Sequence, residues 1–517
     1  MKNRHFIVYP FLVALYSVLV LAAVNIGEVV WLHVLIRPIA TALIVASVAW
    51  ILSRAISRDV HIRGLVALVL VVWFCWYGYF RNALLSQPLL FPVGRAQYAI
   101  PAYLLLLSAV VYVIVRRVSR PVSDLSRYLN VTATVLLLMP TLVVLRGHGP
   151  KGKGAAEEGA ATPQTFQAKP DRPDVYLLVL DKYTGAHSLA ANYAFDNGPF
   201  LDSLRRLGFD IPRSPHANYI HTHLALPALL NWRLLDDRPE DLTVSNGALA
   251  LDYAAIEDNR TWEFLHERGY RFMFFPSAYA ATARNRHADL QLPDPSQVTS
   301  EFEVAWRRST LAVPMLRWWC RAFACQRGAQ PYAPAPPELI EWKFRQLEQL
   351  PDSSGAIFAF AHFTVPHEPY IFHADCTPRE LYWPVADSGE YELPVKRAYI
   401  EQIQCVNRKV LHFVETVLAK SKTPPIIILQ ADHGHGRLGW GLTVQPADVP
   451  DQAAERIDIF AAYYLPGHPS DVVYDSITPV NVLPRIFNHY FDANIPLQPD
   501  ATFWSTWEEP FKFTRMR

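Results

Sequence analysis

Hydrophobic positions along this chain fall into two regimes. Up to Arg146 they gather in five long apolar runs, His5–Ile26, Val30–Leu52, Gly64–Phe80, Tyr98–Val115 and Leu129–Leu145. Each run is near the about 20 residues that a helix needs to cross the hydrocarbon of a bilayer. A soluble core has no reason to repeat this length so often, so the runs predict a bundle of five membrane helices. A cleaved signal peptide is the other reading of the first run; its length and the runs that follow argue against it.

Beyond Asp174 the pattern changes to short apolar runs separated by amphipathic stretches. Strands are expected at Val175–Leu180, Phe272–Phe275, Ala356–Phe363, Pro425–Leu429 and Ile459–Leu465. Helices are expected at Pro199–Leu207, Pro336–Leu350 and Val395–Ala419. Continuous apolar strands alternating with helices imply a mostly parallel sheet sandwiched by helices, an α/β domain. The stretch between the regimes, with GHGPKGKGAAEEGAATP, lacks the apolar periodicity that would bury a face and reads as a linker. The expected organisation is therefore residues 1–147 in the membrane, 148–173 as linker and 174–517 as one soluble domain.

Basic residues orient this arrangement. Lys2 and Arg4 precede the first run, Arg54, Arg58 and Arg63 lie between the second and third, and Arg116, Arg117, Arg120 and Arg127 between the fourth and fifth. Short loops rich in Lys and Arg stay on the cytoplasmic side. The amino terminus is thus expected inside, and an odd number of passages leaves the domain after Leu145 exported. Trp73, Trp76, Tyr77, Tyr79 and Phe80 fit the outer interface of the third run, or packing between helices.

Charge excludes one class of partner. Lys plus Arg is 48 against 47 Asp plus Glu, so no global field favours nucleic acid. Of the five cysteines, Cys320, Cys325, Cys376 and Cys405 lie in the part expected to be exported, where thiols oxidise. Three pairings are possible. The expected one joins Cys320 to Cys325 and Cys376 to Cys405.

The strand ends carry the candidate chemistry. The first strand ends on Asp181, the third contains His362 and is followed by His367, and the fourth leads into Asp432-His433-Gly434. In a parallel sheet, ligands bind beyond the carboxyl ends of the strands. Two carboxylates and an imidazole there suit a divalent ion. Each residue alone has a plainer reading, since an Asp after a strand commonly caps a helix or makes a turn.

Together, Asp181 in PDVYLLVLDKYTG, His367 in FAFAHFTVPHEPYIF and Asp432-His433 in IIILQADHGHG resemble the sulfatase branch of the alkaline phosphatase superfamily. With the multi-span anchor, the whole resembles lipoteichoic acid synthases and lipid A phosphoethanolamine transferases. The Cys-x-Pro-x-Arg stretch of true sulfatases is missing: no Cys lies between Asp181 and Cys320. The resemblance implies instead a metal-bound Thr nucleophile, and HANYIHTHLALPALLN offers Thr222 at a helix start, with Thr184 a weaker rival. It implies one divalent ion (Zn, Mn, Mg or Ca are not distinguished) on Asp181, Thr222, Asp432 and His433, with His367 binding phosphate or protonating a leaving group. Lys182 departs from the family pattern, in which a second Asp often follows the first, so a second ion is not supported. His362, His435 and Arg437 are secondary candidates, and of His221 and His223 only one is expected to approach a substrate. The implied activity is transfer or hydrolysis of a phosphate or sulfate ester on an envelope lipid or glycan. A catalytically silent relative that binds a glycan or partner is the alternative. Oligomeric state is not legible.

Overall fold

The structure, a computed structural model of the full chain, describes residues 6–25, 32–80, 106–107, 109–113, 123–147, 172–244, 247–292, 300–315, 337–352, 355–382, 392–436, 445–469 and 471–517. Two compact units emerge: residues 1–157 with 300–326, and residues 158–299 with 327–517.

The first unit holds helices α1 (Tyr9–Val24), α2 (Ile36–Ile56), α3 (Val60–Cys75) and α4 (Ser123–Gly147). Of these, α2 and the Ser123–Arg146 part of α4 are long and apolar enough to cross a membrane, whereas α1 and α3 are apolar but shorter. Five full spans are therefore not established on the described residues; of the fourth expected run only 106–107 and 109–113 are described, as helix. Capping sets one boundary. Asp59 accepts hydrogen bonds from the N–H groups of His61 and Ile62 at 2.8 and 3.0 Å, so α3 begins ahead of Gly64.

Polar contacts fix the direction of the helices. Asn130 of α4 caps the start of α1, accepting from Val8 and Tyr9 N–H at 3.1 and 3.0 Å and donating to the Phe6 carbonyl at 2.7 Å. Near the start of α3, His61 Nδ1 lies 2.9 Å from Ser126 Oγ of α4. The amino-terminal ends of α1, α3 and α4 thus lie together. Gly64 permits the close approach of α1 to α3, since a Cβ there would stand 2.4 Å from the Tyr9 hydroxyl.

Residues 300–315, inside the stretch expected to be wholly soluble, belong to this unit. The helix Glu301–Ser309 buries Trp306 in the α1–α3 core, where its indole N–H donates to Ser17 Oγ at 3.2 Å. Glu303, also buried, pairs with Arg307 and lies 3.7 Å from Arg37, and Leu311 N–H donates to the Phe74 carbonyl at 2.8 Å. Phe302 and Trp306 stand four positions apart on one face, which is the apolar stripe that the helices accept.

The second unit is built on a seven-stranded sheet of order β2-β9-β8-β1-β5-β3-β4. These strands are β1 (Val175–Leu180), β2 (Phe209–Asp210), β3 (Arg271–Phe275), β4 (Leu290–Gln291), β5 (Ile357–Phe363), β8 (Ile426–Gln430) and β9 (Ala461–Tyr464), with β6 (Tyr370–Phe372) and β7 (Pro378–Tyr382) forming a separate antiparallel pair. Strand β1 pairs in parallel with both β5 and β8. It is buried on both faces, as its unbroken apolar run requires. Strand β9 runs antiparallel to β8, with Gln430 opposite Ala461. The end of β8 and the start of β9 lie opposite each other, so β9 runs back along β8. The helix Glu392–Lys420 is linked to the β6–β7 segment by the Cys376–Cys405 disulfide. Cys320 and Cys325 lie outside the described residues.

Candidate metal centre

Parallel pairing of β5, β1 and β8 brings three strand ends side by side. The Asp181 N–H continues the ladder, donating to the Phe363 carbonyl at 3.0 Å, and the Asp181 carbonyl accepts from His367 N–H at 3.0 Å. From β8, Asp432 turns one oxygen back onto the backbone: Oδ1 accepts from His433 N–H at 2.9 Å and from Lys182 N–H at 3.2 Å. Its other oxygen, Oδ2, is buried without a hydrogen-bond partner, as is Oδ1 of Asp181.

His433 completes the group. Its Nδ1 stands 2.9 Å from the Gly434 carbonyl, which selects the tautomer that presents Nε2 as an acceptor. That Nε2 lies 3.5 Å from Asp432 Oδ2, 3.9 Å from Asp181 Oδ1 and 3.3 Å from the Thr222 hydroxyl. Gly434 is required by the turn, because a Cβ there would stand 2.0 Å from the Glu455 carbonyl oxygen.

Thr222 arrives from the other side, as the first residue of the helix Thr222–Asn231. His221 holds the cap position with no side-chain capping bond, so the Thr222 hydroxyl is not spent as a cap. It is half-buried, while Asp181, Asp432 and His433 are buried.

These residues fit a divalent cation. Ligand atoms of Asp181, Asp432 and His433 all lie within 4.8 Å of one another, and the two unpartnered carboxylate oxygens are what buried acids without a cation cannot sustain cheaply. Burial and the neighbouring Asp432 push Asp181 well above the usual carboxylate range, and burial raises Asp432. Burial, with Arg456 beside it, pushes His433 well below the usual imidazole range, leaving it neutral as a ligand must be.

The other expected residues divide. His367 is partly exposed beside the cluster, and burial of its ring lowers it to about 4; its Nδ1 contacts the Glu368 carbonyl, leaving Nε2 as an acceptor. His362 is fully buried in β5, bonded through Nδ1 to Thr282 at 2.9 Å, with Nε2 3.8 Å from Asp181 Oδ2. His435 is structural: Nδ1 and Nε2 meet the Tyr193 and Tyr370 hydroxyls at 2.8 and 2.9 Å, and the ring stacks on Tyr399. Thr184 is buried and accepts from His435 N–H at 2.6 Å. His221 and His223 are both engaged away from Thr222, with Ser505 and Asp252 respectively. Arg437 lies outside the described residues.

Three further charged residues stand at the site, of which the sequence motifs singled out only Lys182, as a departure from the family pattern. Lys182 forms an ion pair with Glu368, its Nζ 2.9 Å from Oε1. Burial alone would raise Glu368, but His367 and Lys182 hold it well below its usual range. Arg456 donates from Nε to the Ile220 carbonyl at 3.0 Å and from Nη1 to that of His435 at 2.6 Å, tying the segment before Thr222 to the one after His433. Glu368 and Arg456 were not singled out, although Glu368 stands next to His367.

No family model and no curated protein matches the chain. Among solved structures it is similar to the C-terminal periplasmic domain of EcEptC from Escherichia coli in complex with Zn, at 14% identity over 62% of this chain and 83% of that one, with a TM-score of 0.38. It is also similar to a protein in the alkaline phosphatase superfamily from Vibrio parahaemolyticus (12% identity, 67% and 79% covered, TM-score 0.39). A third is the phosphonate monoester hydrolase of Agrobacterium radiobacter (16% identity, 64% and 80% covered, TM-score 0.40).

Proposed function

We propose that this chain is a membrane-anchored, metal-dependent enzyme that transfers or hydrolyses a phosphate or sulfate ester of an envelope lipid or glycan, with Thr222 as nucleophile. The observation that carries the reading is the convergence of the Thr222 hydroxyl with the unpartnered oxygens of Asp181 and Asp432 and with Nε2 of His433. Asp181, Thr222, Asp432 and His433 would hold one divalent ion. A bound ion supplies acidity to the Thr222 hydroxyl and charge stabilisation to an ester oxygen.

Thr222 Oγ1 gives up its proton and attacks the phosphorus (or sulfur), the bond to the leaving oxygen breaks, and that oxygen takes up the proton so released. A second hydroxyl, from an acceptor or from water, attacks the phospho-threonine, loses its proton and returns Thr222 to its free form. His367, partly exposed beside the cluster with Nε2 unspent, is placed to exchange those protons. Burial of the acids and of His433 keeps bulk water from the donor set.

The anchor crosses the membrane with the amino terminus inside. α1, α3 and α4 start at one end of their unit, whereas the segment Glu301–Leu311, which belongs to the part of the chain after the last span, contacts Ser17 and Phe74 further along α1 and α3. The test is metal dependence of the full chain in detergent. Chelation should abolish turnover of bis(p-nitrophenyl) phosphate and p-nitrophenyl sulfate, and a divalent ion should restore it; turnover indifferent to chelation would refute the reading.

A further inference from the structure

Lys182 sits in an unusual conformation for a lysine. Its φ is +61°, the left-handed region that a Cβ disfavours and glycine adopts freely. The conformation is fixed from both sides of the residue. Its N–H donates to Asp432 Oδ1 at 3.2 Å, and its carbonyl accepts the Tyr399 hydroxyl at 2.7 Å. Neither bond uses the side chain, so glycine would serve the turn with less strain. The backbone gives no reason for a lysine here.

The side chain supplies the reason. It is 8% exposed, and Nζ lies 2.9 and 3.1 Å from the two oxygens of Glu368. An ammonium has three N–H donors, and the carboxylate of Glu368 engages at most two of them. Among the described residues the third has no partner. A buried ion pair commonly costs as much in desolvation as it returns, so stability does not account for the pair either. Lys182 adjoins the candidate ligands through its own backbone, since it follows Asp181 directly and its N–H donates to Asp432 Oδ1. The neighbouring Arg456 differs, because both Nε and Nη1 are given to backbone carbonyls.

We infer that Lys182 binds a non-bridging oxygen of the tetrahedral anion that Thr222 attacks, and that Glu368 aims the ammonium. The inference rests on the Thr222 reading and adds a substrate requirement. The group transferred must carry at least two non-bridging oxygens, as phosphodiesters and sulfate esters do, so that one can face the ammonium while another faces the metal ligands. No bond to Lys182 forms or breaks. Its fixed charge offsets negative charge that grows on the equatorial oxygens as the leaving oxygen departs.

The test uses the full chain in detergent, loaded with metal, with inorganic phosphate as the binding probe and bis(p-nitrophenyl) phosphate as the substrate probe. Lys182→Gly, which suits the backbone, and Lys182→Met should keep the wild-type metal content. Both should bind phosphate at least about tenfold more weakly and lose about a hundredfold in kcat/KM. Added ethylamine should restore part of the Lys182→Gly turnover, which a purely structural role would not allow. Glu368→Gln should give a smaller loss in the same direction. Wild-type phosphate affinity in both Lys182 variants would overturn the inference, and so would loss of metal together with phosphate. Full turnover by Thr222→Ala would instead overturn the nucleophile reading, which separates the two failures.

Discussion

The Thr222 hydroxyl lies 3.3 Å from Nε2 of His433, although 211 residues separate them in sequence. The sheet makes this possible by ending β8 beside β1, and the helix Thr222–Asn231 brings the hydroxyl in from outside the sheet. The proposed nucleophile and the proposed imidazole ligand are thus set by different elements, so each can be replaced on its own.

Removal of a ligand should therefore separate metal from fold. Asp432→Ala and His433→Ala are expected to weaken metal binding by about a hundredfold or more while the far-ultraviolet circular dichroism spectrum stays that of the parent chain. Metal analysis of the purified variants checks this. Full metal content in either one would remove that residue from the ligand set.

Gly434→Ala tests the turn rather than the ligands. The new Cβ would stand 2.0 Å from the Glu455 carbonyl, and backbone cannot give way as a side chain can. A loss of about 1–3 kcal/mol in stability is expected, with weakened metal binding because His433 moves with the turn. An unchanged melting temperature would show that the turn is looser than its geometry indicates.

Lys343 gives the domain a pH-dependent stability. Its buried ammonium donates to the carbonyls of Pro276 and His362 at 3.0 and 3.2 Å, and burial lowers its pKa from 10.5 to about 7. Between pH 7 and 10.5 the unfolded chain therefore holds the extra proton, so this residue's contribution to stability rises with pH across that window and is flat below it. Lys343→Met should remove that rise. Melting temperatures of both chains in detergent from pH 7 to 10 would show parallel curves if the prediction fails.

Much of this architecture was legible in advance because burial writes itself into sequence. Val175–Leu180 and Ile426–Leu429 are apolar throughout since both faces of those strands are covered, and Asp181 and Asp432 follow within three residues of those runs. The antiparallel direction of β9 was not legible, because an apolar run carries no arrow; direction follows from where the preceding excursion returns. Nor could sequence show that Trp306 belongs with α1 and α3, since an amphipathic stripe does not name the surface that covers it. Arg456 was invisible for a related reason: its contacts to Ile220 and His435 are to backbone, which leaves no pattern of side chains to read. His435 looked like chemistry by its place in DHGHG and is held instead by Tyr193, Tyr370 and Tyr399.

Orientation and oxidation can be checked together. A reporter active only outside the cytoplasm, fused after Gly154, should be active. Unreduced peptide mapping should find Cys376 joined to Cys405, with reduction costing about 2–4 kcal/mol of stability. An inactive fusion, with both thiols free, would reverse the assigned topology.

The account stands most directly on a covalent step at one atom. The full chain, loaded with metal and mixed with bis(p-nitrophenyl) phosphate, is quenched in acid during turnover and its peptides are mapped by mass spectrometry. The expected result is a phosphoryl ester on the peptide containing Thr222, absent from Thr222→Ala. That variant should turn over at least about a thousandfold more slowly, and Thr222→Ser should retain part of the activity. An adduct on another residue, or no adduct together with wild-type turnover by Thr222→Ala, would contradict it.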